Sequence, residues 1–251
     1  MINLWCMRVV WFTSPVILLL FYDQVNWLYG ICFAICINLF GQSIALHRYF
    51  CHKSFKTNKF WHYIMMALTI PVFLGSPLGW SHLHRHHHEN SDTEKDFISI
   101  KHRSWMSMYF GSYLGTVDGI LLVRDMITDK MHMFVHKYYV LLWSIWALSV
   151  YLMLGVSEFL SFVILPIVWI YNMVFFGAIL IHTATPYITY RNFDTKDKSV
   201  NNWLFSIISL GDGWHNNHHQ SPSDWNHSKN WYEIDLTKYL IQLIKTNKEF
   251  L

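Results

Sequence analysis

Residues 27–52 read WLYGICFAICINLFGQSIALHRYFCH: an apolar run, Trp27–Leu46, followed at once by His47 and His52. About 20 such residues cross a bilayer core as a helix. The stretch therefore reads as a membrane helix that delivers two imidazoles to the membrane surface. Three more runs have the same character, Leu4–Tyr22, Tyr139–Val156 and Phe159–Ile181, and the last of them leads directly into His182. Composition agrees with four spans. Hydrophobic residues make up 53% of the 251, and only 14% are charged, about half the share usual in a soluble domain. Run length and scarcity of charge weigh against buried helices of a soluble core.

Charge placement orients the spans. Arg8 lies near the start of the first run, segment 47–138 holds eleven Lys and Arg, and segment 182–251 holds seven, which accounts for all 19. The turns Asp23–Asn26 and Ser157–Glu158 hold none. Every basic residue then falls on one side, which the positive-inside rule makes cytoplasmic, together with both termini. Two further apolar stretches, Trp61–Trp80 and Trp105–Val123, are interrupted by prolines, glycines and Asp118. If one alone crossed, the charge bias would break. If both crossed, the His84 region would be stranded on the far side from His47. Both are read as interfacial or re-entrant helices. The expected fold is an all-α integral membrane protein: four transmembrane helices, interfacial helices, and a cytoplasmic helical cap holding a dinuclear metal site. No repeat or linker divides the chain, so residues 1–251 are expected to form a single domain. Leu4–Tyr22 lacks a small-residue cleavage site after it and is read as a retained span. Cys6, Cys32, Cys36 and Cys51 show no disulfide spacing and are read as small apolar packing residues.

Three histidine clusters carry the chemistry: His47 with His52, His84 with His87 and His88, and His215 with His218 and His219. Histidine is the commonest metal ligand, and eight imidazoles without a cysteine partner exceed what one ion needs. Positions i, i+3 and i+4 share a helix face, so each of the two triplets can offer three rings to one point or split them between neighbouring ions. His47 and His52 are five apart, roughly 140° around an α-helix, and share a face only if the helix ends between them. His182, at the end of the fourth span, is the ninth candidate, because polar groups at such positions are usually functional. His62, His82, His86, His102, His132, His136 and His227 are read as surface or interfacial, with His86 the closest to a ligand reading. Imidazole suits iron, zinc, copper and nickel, so ligand type leaves the metal open. Few anionic ligands argue for oxide or hydroxide from solvent or oxygen, and iron with a hydrocarbon substrate fits the membrane setting. A metal transporter would place ionisable residues inside the spans, which hold almost none. Nothing points to nucleic acid.

The stretches HRYFCHKSFK (47–56), GWSHLHRHHHENSDTEKD (79–96), SLGDGWHNNHH (209–219) and WYEIDLTKYLIQLI (231–244) resemble the membrane fatty-acyl desaturases, in their acyl-CoA or acyl-lipid Δ9 class. The resemblance covers most of the chain in box order, box spacing and the tryptophan before the third box. It implies a two-iron centre that uses O2 as co-substrate to remove two hydrogens from a saturated acyl chain, leaving a cis double bond. Carried over residue by residue, it places one iron on His47, His52, His84, His88 and His219, and the other on His87, His182, His215 and His218. Two electrons per turnover would come from a separate donor, cytochrome b5 or ferredoxin, since the cysteines do not suit a built-in cluster. The acyl group would ride on CoA, acyl-carrier protein or a lipid in the bilayer. A histidine-box hydroxylase or other monooxygenase shares the same pattern and differs in its product.

The chain departs from the family at several points. Ala178 stands where an asparagine commonly precedes the span-4 histidine, Asp212 stands where glutamate is usual, and Lys95–Ile100 lacks an Asp-Pro-His. Trp80 is read as a candidate substrate contact, although a tryptophan near a bilayer surface also serves as an anchor. Arg85, Asn216 and Asn217, between the ligands, are read as groups that orient them.

Overall fold

A computed structural model describes residues 2–111 and 119–246, with side chains from Leu4 onward. The chain is mostly helical: α1 (Ile2–Leu20), α2 (Trp27–Cys51), α3 (Lys59–Val72), α4 (Pro77–Asn90), α5 (Trp105–Tyr109), α6 (Arg124–Ile127), α7 (Lys130–Leu154), α8 (Val156–Leu180), α9 (Trp203–Ile208), α10 (His215–Gln220) and α11 (Leu236–Ile244). One small antiparallel pair, β1 (Thr189–Tyr190) with β2 (Asn201–Asn202), joins them.

Three helices, α2, α7 and α8, are each 25 residues long and apolar enough to cross a membrane. At 1.5 Å per residue, an α-helix of that length reaches roughly 37 Å, more than the ~30 Å hydrocarbon core. The apolar part of α1, Leu4–Leu20, is shorter. The third expected span began at Tyr139, but the helix starts at Lys130. The difference has a local cause: Tyr138 has non-helical torsions (φ −107°, ψ 15°), so the helix breaks at the edge of the apolar run.

Helices α2 and α8 run side by side in the same direction. At their starts, the Asn26 amide donates to Ser161 Oγ at 2.8 Å, and Gly30 abuts Leu165 and Ser161 so closely that no Cβ fits. Their far ends both arrive at the histidine cluster. Trp11, Phe73, Tyr139, Trp143 and Val163 form the buried core between α1, α3, α7 and α8, with Phe73 and Trp143 ring centroids 4.1 Å apart.

The stretch Trp61–Trp80 is not one helix. α3 ends on Phe73 in the left-handed region (φ 55°). Ser76 then caps α4 by accepting from the Gly79 amide at 3.1 Å, with Pro77 at the first position, a start suited to both residues. The two axes differ by 81°, the shape of a bent or re-entrant pair. In the stretch Trp105–Val123, residues 112–118 lie outside the described residues; Trp105–Tyr109 forms the short helix α5 and Ile120–Val123 a 3-10 turn. The four cysteines are free thiols.

Candidate metal centre

The last part of α2 is wound differently from the rest. Over Asn38–Cys51 the helix is π-helical, and the His52 amide donates to the His47 carbonyl at 3.1 Å. An i→i+5 turn stacks residues five apart, as an α-helix stacks residues four apart. The helix does end between His47 and His52, at Cys51, and the wider winding of its last turns brings the two rings to one face, with centroids 5.0 Å apart.

All nine predicted histidines converge in two adjoining groups. His47, His52, His84, His88 and His218 form one, and His87, His182, His215 and His219 the other; within each, one ring nitrogen per residue lies within 4.8 Å of all the rest. His218 and His219 have therefore exchanged places relative to the family-based expectation. The reason is helical azimuth. Position i+4 returns to about 40° from i, while i+3 lies about 60° to the other side. In both triplets the i, i+4 pair (His84 with His88, His215 with His219) shares a focus, and the i+3 ring crosses to the other group. The groups touch where His88 stacks on His219, 4.3 Å between centroids.

The donor set fits metal ions. His47 and His218 Nε2 are 3.1 Å apart, His218 and His88 3.0 Å, His88 and His84 3.1 Å, and His182 and His215 3.1 Å. Two nitrogens about 2.1 Å from one ion and at right angles stand about 3.0 Å apart, which matches. The Nε2 atoms of His52 and His219 are buried without a hydrogen-bond partner, an arrangement that a buried polar atom needs a reason to adopt. Burial, and after it the repulsion of neighbouring rings, holds His52, His215 and His218 well below the ordinary 6.5, so these rings are neutral. His219 stands at about 4, lowered by burial and partly restored by Asp197.

Carboxylates fix the tautomers of one group. The Nδ1–H of His87 donates to Asp96 at 3.0 Å, that of His182 to Asp92 at 3.0 Å, and that of His219 to Asp197 at 2.8 Å. Each leaves Nε2 with its lone pair turned inward, the usual role of such outer partners. Burial alone would raise these three carboxyls, but the paired imidazoles outweigh it and hold them below their ordinary range. Sequence reading missed these three as a set. Asp92 and Asp96 follow the second box closely enough to have been suspected, whereas Asp197 sits in a loop with no signal. His227, read as a surface residue, is 1% exposed, and its ring lies 4.6 Å from that of His218. His132 is buried as well.

The other group is anchored through the backbone and a buried ion pair. Arg48, fully buried, donates to Asp235 at 2.7 Å, to Asp212 at 3.0 Å and to the Trp225 carbonyl at 2.7 Å. Asp212 also accepts from Ser43 at 2.8 Å and lies 3.9 Å from His47 Nδ1. Arg85 turns away from the centre and clamps the carbonyls of Phe50 and Cys51 and the carboxylate of Asp125. Asn216 and Asn217 are buried and hold loop 192–201 and Glu233 in place.

Two apolar-lined cavities border the histidines. One meets His47, His84, His87, His182 and His215 and is walled by Met173, Ala178 and Phe205. The second runs past His84 toward Trp11, Met108 and Tyr171. Trp80 lines both, its ring stacked on His84 at 4.5 Å. Ala178 offers a methyl at their junction, so no side-chain amide reaches the second group from that position.

The sequence model of the fatty acid desaturase family matches residues 25–242. The chain is 31% identical over 211 residues to an sn-1 stearoyl-lipid 9-desaturase of Anabaena variabilis, covering 82% of this chain and 75% of that protein. An sn-2 palmitoyl-lipid 9-desaturase of Nostoc sp. (strain 36) is 29% identical over 229 residues, 88% of this chain and 76% of its own. An acyl-CoA 5-desaturase of Anemone leveillei is 28% identical over 227 residues, 87% and 68%.

Proposed function

The chain belongs to the fatty acid desaturase family, and from that premise we propose that it introduces a cis double bond into a saturated acyl chain, at Δ9, using O2. The balance is one CH2–CH2 unit, one O2, two electrons and two protons giving CH=CH and two waters. The enzyme is an oxidoreductase. The observation that carries the reading is an apolar cavity whose wall includes histidines of both groups. A hydrocarbon chain has no charge to recognise, so its binding rests on shape and on exclusion of water.

The nine histidines, His47, His52, His84, His87, His88, His182, His215, His218 and His219, would hold two iron ions. When bound, the irons supply the strong oxidant that two unactivated C–H bonds require, chemistry no side chain provides. The chain's own residues position and dehydrate. Trp80 supports His84 and lines both cavities, and Met173, Ala178 and Phe205 keep water from the methylene that reacts. The electrons come from a separate donor protein, cytochrome b5 or ferredoxin. We read residues 1–251 as one domain in which α1, α2, α7 and α8 cross the bilayer and the bent pair α3–α4 returns to the side it left. Both termini and the histidine cap then face the cytoplasm. The Δ9 position rests on the names of the Anabaena and Nostoc relatives, and the acyl carrier is a lipid, CoA or a carrier protein.

Expression with a matched donor, followed by mass spectrometry that locates double bonds in cellular fatty acids, tests this. A new Δ9 alkene is expected. An alcohol in its place identifies a hydroxylase. In His218→Ala, product disappears and bound iron falls while the protein still inserts; full product formation by that variant would refute the metal assignment.

A further inference from the structure

The two halves of the histidine centre differ in what stands behind the rings. In the half formed by His87, His182, His215 and His219, three of four imidazoles donate Nδ1–H to a carboxylate at 2.8–3.0 Å. Among the described residues, no carboxylate lies within hydrogen-bond distance of His47, His52, His84, His88 or His218. Their nearest is Asp212, 3.9 Å from His47 Nδ1, and its charge is already engaged by the buried Arg48 at 3.0 Å and shared with Asp235. One half thus faces three negative charges, and the other faces a carboxylate pair with a guanidinium between its members. A carboxylate behind an imidazole makes the ring a stronger donor and fixes its orientation. Nearby charge also acts strongly on a divalent ion where water is scarce.

A polar cleft lined by Arg191, Asp194, Thr195, Lys196, Asp197 and Lys198 opens directly onto His182. The Arg191 guanidinium is occupied there by the carbonyls of Thr195, Asp197 and Ser199.

We propose that the centre loads unequally: the carboxylate-backed half takes the first divalent ion and holds it more tightly, and the five-histidine half takes the second and releases it first. This rests on reading the centre as a two-metal site. It makes Asp92, Asp96 and Asp197 positioning residues for metal retention. The half-loaded protein is then a definite species with its ion beside His182.

The test uses the full chain in detergent, stripped with chelator under anaerobic conditions and titrated with Co2+, with bound metal counted after gel filtration. Two binding steps separated by tenfold or more are expected. Asp197→Asn should weaken the first step by about 10–100-fold, the range typical for loss of such a partner, and leave the second nearly unchanged. At the chelator concentration that leaves wild type one ion per chain, His218→Ala should keep that ion and His215→Ala should lose it. Two ions bound with equal affinity, or retention by His215→Ala and loss by His218→Ala, overturns the order while leaving a two-metal site intact. Failure to bind more than one ion at any concentration overturns the two-metal reading itself. The wild-type titration decides whether loading is unequal, and Asp197→Asn, which keeps every histidine and the side-chain volume, decides which half loads first even if a histidine variant does not fold.

Discussion

One side of α7 turns large apolar side chains outward, with Leu141 at 55% exposure, Leu152 at 71% and Met153 at 80%; between residues 201 and 237 many polar ones are buried, Asn201, Asn216, Asp235 and Thr237 completely. The helices are joined by close contact. Gly41 of α2 lies so near α3 that a Cβ would stand 2.6 Å from the Leu68 carbonyl. Polar links between the helices are few, such as Tyr139 donating to the Thr69 carbonyl at 3.1 Å. Lipid tails are as apolar as leucine, so packing of small residues and occasional hydrogen bonds hold such helices together. The cap has almost no apolar interior. Asn217 donates to Glu233 at 2.9 Å and to the His227 carbonyl at 2.8 Å, while Asn192 and Tyr190 donate to Glu233 at 2.7 Å. A fully satisfied network of this kind rigidifies what it holds. Tolerance and precision are thereby separated: the lipid-facing helices accept many side chains, and the cap that aims the third histidine triplet accepts few.

The contrast can be attacked where it should be strongest. Arg48→Met leaves Asp235 and Asp212 buried without their partner, and a loss of about 3–5 kcal/mol is expected. Thermal unfolding in detergent and retained metal should fall together; an unchanged melting curve would mean the cap is not held by its charges. Asn217→Ala should cost less, about 1–3 kcal/mol for unsatisfied partners, again with loss of metal. On the other side of the comparison, Gly41→Val forces a side chain between α2 and α3 and should cost about 1–3 kcal/mol. Leu152→Ala, on the lipid face, should stay within about 0.5 kcal/mol.

The smallest effect concerns the rim. Burial alone would raise the Asp125 carboxyl, but hydrogen bonds from Arg85 and Lys53 prevail and hold it at about 2, against an ordinary 3.8. A depressed carboxyl stabilises the fold above its unfolded value and loses that contribution as pH falls through its folded value. Removal of Asp125 by Asp125→Asn should therefore flatten the stability curve only between about pH 4 and pH 2. Lys53→Ala should barely register, because the Lys53 side chain is 62% exposed and such pairs contribute less than about 1 kcal/mol.

Much of this was legible before any coordinates. The three long apolar helices follow from run length, and the nine histidines from spacing and from their positions at helix ends. What stayed hidden depended on rotation and on loops. Which ring of the third triplet joins His47 follows from the i, i+4 pairing of His215 with His219, but only once the residues from His215 onward are known to be helical, which so short a segment does not announce. Asp197 reaches His219 from a loop whose path is set by Arg191 and Asn216. His227 looked like one more surface histidine because its polar segment resembles an exposed one, yet the buried ion pair folds it inward, its amide donating to Asp235 at 3.0 Å. The break at Tyr138 has no proline or glycine to announce it.

The wide-wound end of α2 has one more consequence. In a uniform helix the azimuth of the lipid-facing side dictates the azimuth of everything downstream. A wider winding uncouples the two, so the membrane portion of α2 keeps its fit against α8 while His47 and His52 are dialled to their own angle. Removing a single residue between Asn38 and Leu46 would swing both rings by one residue's share of the wider turn and draw them back along the axis. Chimeras that splice this helix from relatives must therefore conserve residue count across the junction, even where every side chain is replaced.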